Sequence, residues 1–185
     1  MSAVTRLWLA FAALGAGLIH VAVGASAPFP LAVLLVGFGI AELTWGIAAL
    51  SLGRLPVPRA VTGAALIPVF VWGATAALGS GLGVSTEATG LPLFSMTVAS
   101  FFNLFLAVVM AVHQRRSSAA AAAAFELGEP VAGQGRPVPA AASGWRFLTA
   151  LTLGGVIFSG LTTPALAATD AGQLAVPHGT SHSGH

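Results

Sequence analysis

Three of the five histidines fall within the last eight residues of this 185-residue chain, in the segment His178-Gly-Thr-Ser-His182-Ser-Gly-His185. Neutral imidazole is a good ligand for Cu(II) and Zn(II), and a short histidine-rich segment is a compositional sign of metal binding. The chain has no cysteine and the segment has no methionine, which disfavours soft Cu(I). The pattern predicts a copper or zinc site at His178, His182 and His185. The alternative is a solvated tail whose histidines bind nothing.

Three more polar residues lie inside long apolar segments, namely His20, Glu42 and Asn103. Ionisable groups are costly in hydrocarbon, so each of them is a candidate functional residue. One interpretation is structural, with Glu42 either protonated or paired with His20 and Asn103 bonded to another helix, at about 1 kcal/mol per bond. The other is that the carboxyl and the imidazole form a proton or metal site. The sequence leaves both interpretations open.

The amino-acid composition indicates the class of protein in which these polar residues lie. Hydrophobic residues make up 56% of the chain and charged residues only 6%, whereas an average soluble domain has about 25% charged residues. Because so few charged side chains cannot cover the surface of a soluble domain, we predict an integral membrane protein. The seven basic side chains are all arginine and are scattered in ones and twos, which argues against nucleic acid as a partner. The expected partner is the lipid bilayer, with a homo-oligomer or a larger membrane complex as a further possibility.

A helix needs about 20 apolar residues to cross the hydrocarbon of a bilayer. Five segments meet this length, so the predicted fold is an all-α bundle of five transmembrane helices. Pro68 lies inside the third segment and predicts a kink there. The predicted spans are residues 7–23, 31–52, 60–78, 93–112 and 145–168. The corresponding domains are a four-helix membrane bundle (1–112), a low-complexity cytoplasmic linker (113–144), the fifth transmembrane helix (145–168) and an extracytoplasmic histidine-rich tail (169–185).

The arginines determine the predicted orientation. With five spans, all seven lie in loops on one side of the membrane, which the positive-inside rule assigns to the cytoplasm. We therefore predict the N-terminus inside and the C-terminus outside, in the plasma membrane of a bacterial cell. The seven residues are Arg6, Arg54, Arg59, Arg115, Arg116, Arg136 and Arg146.

Small residues share the helix faces of the intramembrane polar groups. Small side chains let membrane helices approach closely, so we expect these faces to point toward other helices and not toward lipid. The first two spans are joined by a short turn, which predicts a hydrogen bond between His20 and Glu42. The small neighbours are Ala13, Ala16, Gly17 and Gly24 beside His20, Gly39, Gly46 and Ala49 beside Glu42, and Ala99, Ser100 and Ala107 beside Asn103.

The four tryptophans, Trp8, Trp45, Trp72 and Trp145, lie mostly toward the ends of the predicted spans. Tryptophan is enriched at both membrane–water interfaces, so the positions predict interfacial side chains without a binding role.

The stretches Gly17-Leu-Ile-His20 and Gly37-Phe-Gly-Ile-Ala-Glu42-Leu-Thr-Trp-Gly46, together with the histidine-bearing tail, resemble uncharacterised small multipass membrane proteins of GC-rich bacteria. This resemblance carries over no catalytic residue. No Ser/His/Asp arrangement, phosphate-binding loop or paired carboxylates are apparent, so we predict neither an enzyme nor an organic cofactor. The leading hypothesis is a membrane protein that binds copper or zinc at its tail and assists uptake or delivery of the ion. The alternative is a non-catalytic accessory or scaffold subunit.

Overall fold

The computed structural model describes residues 1–81, 91–126 and 144–174. Within these ranges the secondary structure is entirely helical and contains no strand. The helices are α1 (Ala3–Gly24), α2 (Phe29–Ser51), α3 (Pro58–Ala64), α4 (Leu66–Gly81), α5 (Leu93–Glu126), α6 (Gly144–Ala167) and α7 (Asp170–Gln173).

Five helical segments are long and apolar enough to cross a membrane, as the sequence predicts. Four of them coincide with α1, α2, α5 and α6, whereas the third combines α3 and α4. The predicted five-span, all-helical architecture is therefore confirmed for the part of the chain that the structure describes. The spans are Ala3–Gly24, Phe29–Ser51, Pro58–Leu78, Leu93–Ala123 and Gly144–Ala167.

Helix α1 is the central helix of the bundle. It packs against α2, α5 and α6, and 67% of its span is buried, compared with 11% for the span formed by α3 and α4. Alanine and glycine fill its middle, and these small side chains let three neighbouring helices approach at once. The residues of α1 are consequently the ones placed to contact several helices.

Phe158 holds α6 against the rest of the bundle. Its ring contacts Trp8 and Phe11 of α1 and Phe102 and Phe105 of α5, with ring centroids 5.3–6.2 Å apart. The rings meet at steep angles, which is the favoured arrangement of aromatic pairs. The fifth span thus docks through an aromatic cluster that joins three helices.

The third span is broken between α3 and α4, at the position that Pro68 predicts. Proline has no N–H to donate to the carbonyl of Ala64, and its ring clashes with that carbonyl. Helix α3 accordingly ends at Ala64, and α4 begins at Leu66. Both α3 and α4 pack against α5, and neither packs appreciably against α1, α2 or α6.

Helix α5 is longer than the predicted span. It continues from Leu93 to Glu126, so residues 113–126 of the segment predicted as a linker are helical. Alanine has the highest helix propensity, and the alanine run from Ala119 extends the helix after its apolar part has ended. The remainder of that predicted linker, up to residue 143, lies outside the described residues.

Three long-range hydrogen bonds bring the described arginine-bearing segments together at one end of the bundle. Arg6 donates to the carbonyl of Gly53 at 2.6 Å, and Gln114 donates to the carbonyl of Pro58 at 3.0 Å. The indole of Trp8 donates to the carbonyl of Ala150 at 2.9 Å. The starts of α1, α3 and α6 and the polar part of α5 therefore lie at the same end.

Candidate functional site

His20 and Glu42 form a buried hydrogen bond between α1 and α2. The Nδ1 atom of His20 lies 2.7 Å from Oε2 of Glu42. His20 is 1% exposed and Glu42 is 9% exposed. The sequence predicts this pair from the short turn between the first two spans, and the structure brings the two side chains into contact.

The direction of helical side chains explains how the two groups reach each other. In an α-helix, side chains lean toward the N-terminus of their own helix. Because α1 and α2 form an antiparallel hairpin, His20 leans toward the end that carries Arg6, and Glu42 leans toward the opposite end. The two side chains therefore converge from opposite directions.

Glycines allow the two helices to approach closely next to this pair. A Cβ atom on Gly17 would lie 2.8 Å from the carbonyl oxygen of Gly39, too close for a real side chain. A Cβ on Gly24 would lie 2.8 Å from a methyl group of Val36. Gly17 and Gly24 were assigned from helical spacing to the face of His20, and the structure places both in the α1–α2 contact.

Three buried polar side-chain atoms have no hydrogen-bond partner among the described residues. They are Oε1 of Glu42 and both side-chain atoms of Asn103, Oδ1 and Nδ2. Asn103 is fully buried on α5. The structural interpretation, in which Asn103 bonds to another helix, thus has no such bond among the described residues to support it. The buried residues of the facing helix α1 are mainly alanine and glycine, whose side chains cannot hydrogen-bond.

The lone pairs on the His20–Glu42 pair decide whether it could bind a metal ion. A neutral imidazole that donates Nδ1–H to a carboxylate keeps the lone pair of Nε2, and metal-binding histidines commonly have such a carboxylate partner. Oε1 of Glu42 and Oδ1 of Asn103 are oxygen donors without partners. No cluster of three or more His, Cys, Asp or Glu residues occurs in the described ranges. A metal ion here would bind Nε2 of His20, on the side of the ring away from Glu42, with Glu42 orienting the imidazole through Nδ1.

The histidine tail is not part of the described structure, because His178, His182 and His185 all follow residue 174. The prediction of a copper or zinc site at these residues stays a prediction. The fifth histidine, His113, is half-buried in the polar part of α5. It lies one residue before Gln114, which bonds to α3, and so belongs to the arginine-bearing end.

Trp45 packs inside the bundle near the end of α2 and is not an exposed ring. Trp45 is buried, and its indole nitrogen donates to the carbonyl of Pro56 at 2.9 Å. Trp8 is half-buried and bonds to α6, whereas Trp145 is exposed at the start of α6. The position of a tryptophan near a helix end does not show whether its ring faces the membrane interface or the bundle. The direction of the ring depends on which other helices pack there.

An apolar cavity beside Glu42 was not predicted from the sequence. It has a volume of about 220 Å³ and lies where residues of α1, α2, α3 and α5 meet. Glu42 and Trp45 line it together with four alanines, Ala13, Ala41, Ala64 and Ala65. The sequence does contain a sign of this cavity. Ala64 and Ala65 lie close before Pro68, so the residues at the helix break have little side-chain volume.

Over the described residues, the fold and the site define a class, an all-helical protein with five membrane-length helices and a buried His–Glu pair between the first two. Comparison of the chain with protein-family models, curated proteins and solved structures finds no match.

Proposed function

We propose that this chain is a non-catalytic multipass protein of the bacterial plasma membrane that binds copper or zinc and assists its uptake or delivery. The observation that carries the proposal is the buried 2.7 Å contact between His20 and Glu42. A polar pair inside the hydrocarbon is costly and usually marks a path or a binding site. The hydrogen bond with Glu42 holds Nδ1 of His20 and would leave Nε2 for the ion, the arrangement common among metal-binding histidines.

In this proposal the ion first meets the tail on the extracytoplasmic face, where His178, His182 and His185 supply three imidazoles. His20 and Glu42 then form a second binding site for the ion, within the bundle. The orientation follows from the arginines, since the arginine-bearing segments lie at one end of the bundle and that end faces the cytoplasm under the positive-inside rule. The tail accordingly begins at the opposite end, after α7.

The metal content of the purified full-length protein tests the proposal. The protein is saturated with Cu(II) or Zn(II), freed of unbound ion by dialysis and analysed for metal per chain. Replacing His178, His182 and His185 together with alanine should remove most of the bound metal, and His20→Ala should remove a separate fraction. His113→Ala is the matched control, because His113 lies at the other end of the bundle, and should bind as much metal as the unmodified chain. A protein without bound metal, or equal content in all variants, would contradict the proposal.

A second function, an accessory or scaffold subunit of a larger membrane complex or a homo-oligomer, is favoured by a different observation. The spans Pro58–Leu78 and Gly144–Ala167 are only 11% and 22% buried. Both expose large apolar side chains, including Phe70 and Val156, that either lipid or a partner helix can cover. Mass measurement after extraction in a mild detergent distinguishes the two functions. A stable partner in fixed stoichiometry supports the scaffold, and a metal-binding monomer supports the first proposal.

A further inference from the structure

The cavity beside Glu42 has the features of a binding site for a small ligand. Its volume of about 220 Å³ exceeds the roughly 150 Å³ of an engineered protein cavity that accommodates benzene. Alanines account for the empty space, since four of the lining positions carry only a methyl group.

The cavity has access from the side of the bundle. Ala41 of α2 and Ala64 of α3 line it and are both exposed, whereas Ala13 and Ala65 are buried. Helix α2 makes at most slight contact with α3 or α4, so the space between them is not closed by packing. In a membrane this surface faces the acyl chains, and a ligand dissolved in the bilayer can enter laterally between Ala41 and Ala64.

Trp45 and Glu42 are the two lining residues with polar groups in an otherwise apolar cavity. Trp45 lines it with its indole N–H already bonded to Pro56, which fixes the ring. Glu42 lines it as well, with Oε2 bonded to His20 and Oε1 buried without a partner among the described residues. A buried carboxyl oxygen without a donor is unfavourable, so a ligand that supplies an N–H group gains by entering.

We propose that this cavity binds a small lipophilic amine in its protonated form, with the ammonium group on Glu42 and the apolar body among the alanines. A cation is favoured over a neutral donor for two reasons. A charge-assisted hydrogen bond is stronger than a neutral one, and an indole face attracts cations. This proposal uses the carboxyl group of Glu42, which lines the cavity, and does not depend on metal binding by the tail.

The test uses the full-length protein in lipid nanodiscs and 4-fluorobenzylamine as the probe, followed by fluorine NMR. Empty nanodiscs report the partition of the probe into lipid, and 4-fluorobenzyl alcohol is the neutral probe of the same shape. We expect saturable binding of the amine that exceeds the lipid background, and binding of the alcohol weaker by about tenfold, which is about 1.4 kcal/mol.

Three variants make the test specific. Ala64→Leu fills the cavity and should abolish binding of both probes. Ala74→Leu is the matched control, because Ala74 is an exposed alanine of the same span that does not line the cavity, and it should bind as the unmodified chain does. Glu42→Gln keeps the shape of the side chain and should weaken binding of the amine but not of the alcohol.

The proposal is overturned if the amine shows no saturable binding, if Ala64→Leu binds as well as Ala74→Leu, or if the alcohol binds as tightly as the amine. Metal content measured on the same samples separates this inference from the proposed function. Amine binding by a chain that holds no metal would leave the cavity proposal intact and remove the metal proposal. Metal content equal to that expected, without amine binding, would leave the metal proposal intact and remove the cavity proposal.

Discussion

Gly17 of α1 and Gly39 of α2 face each other so closely that a Cβ atom on either would lie 2.7–2.8 Å from the carbonyl oxygen of the other. Each glycine precedes one member of the buried pair by three residues, Gly17 before His20 and Gly39 before Glu42. Residues three apart lie on the same helix face. The close approach of the backbones and the 2.7 Å contact between His20 and Glu42 are therefore parts of one interface.

Substitution at Gly39 should separate the two helices. A Cβ at this position meets both the carbonyl of Gly17 and a methyl group of Val21 at 2.7 Å, so Gly39→Ala should lower the free energy of unfolding by about 1–3 kcal/mol, as overpacking does. Gly37→Ala is the control, since nothing lies within 4 Å of a Cβ there. It should leave the stability unchanged or raise it slightly through helix propensity. Unfolding by SDS titration in mixed micelles measures both, and equal effects would contradict the interpretation.

His20 and Glu42 should be energetically coupled. A double-mutant cycle with His20→Ala and Glu42→Leu should give a coupling energy of about 1 kcal/mol, the usual size for a hydrogen bond between membrane helices. Glu42→Gln alone should cost less than Glu42→Leu, because an amide can still bond to the imidazole. Additive effects of the two substitutions would show that the contact does not contribute to stability.

Asn103 should be replaceable without loss of stability in the metal-free protein. Its Oδ1 and Nδ2 atoms have no partner among the described residues, and an unsatisfied buried polar group costs about 1–3 kcal/mol. Asn103→Leu keeps the branching of the side chain at Cγ and removes both polar atoms, so it should raise the stability of the metal-free protein. Asn103→Ala serves as the control for volume and should lower it by leaving a void. A lower melting temperature for the leucine variant would mean that the amide has a partner in the folded protein.

The two ends of the chain should lie on opposite sides of the membrane. A periplasmic reporter such as alkaline phosphatase should be active when fused after His185, because the arginine-bearing end is expected to face the cytoplasm. The same reporter inserted beside Gly133 should be inactive, and a cytoplasmic reporter should give the reverse result. Activity of one reporter at both positions would contradict the orientation.

Metal binding by the tail should weaken in acid. Protons and metal ions compete for the same imidazole nitrogens, so bound Cu(II) or Zn(II) should decrease as the pH falls from about 7 to about 5.5. Isothermal titration of the full-length protein at both pH values measures the change. The chain with alanine at His178, His182 and His185 is the reference and should show little binding at either pH. Binding that is independent of pH would indicate ligands other than imidazole.

Much of the site could be predicted from local sequence. The five spans depend on the length and apolar content of single segments, and the break near Pro68 depends on one residue that cannot donate a backbone hydrogen bond. The faces of His20 and Glu42 followed from helical periodicity, because residues three and four apart align whatever the rest of the chain does. The short turn between α1 and α2 then made their contact predictable.

Other features were decided only by the tertiary structure. The burial of Trp45, the absence of a partner for Asn103 within the described ranges and the cavity beside Glu42 each depend on side chains that come from distant segments. No local pattern specifies which helices pack on α1 or how much space their alanines leave between them. The sequence by itself determined the spanning helices and the polar faces, since these are properties of single helices. Only packing of the helices decided which polar atoms are bonded and which remain free, because hydrogen bonding and empty volume are properties of several helices together.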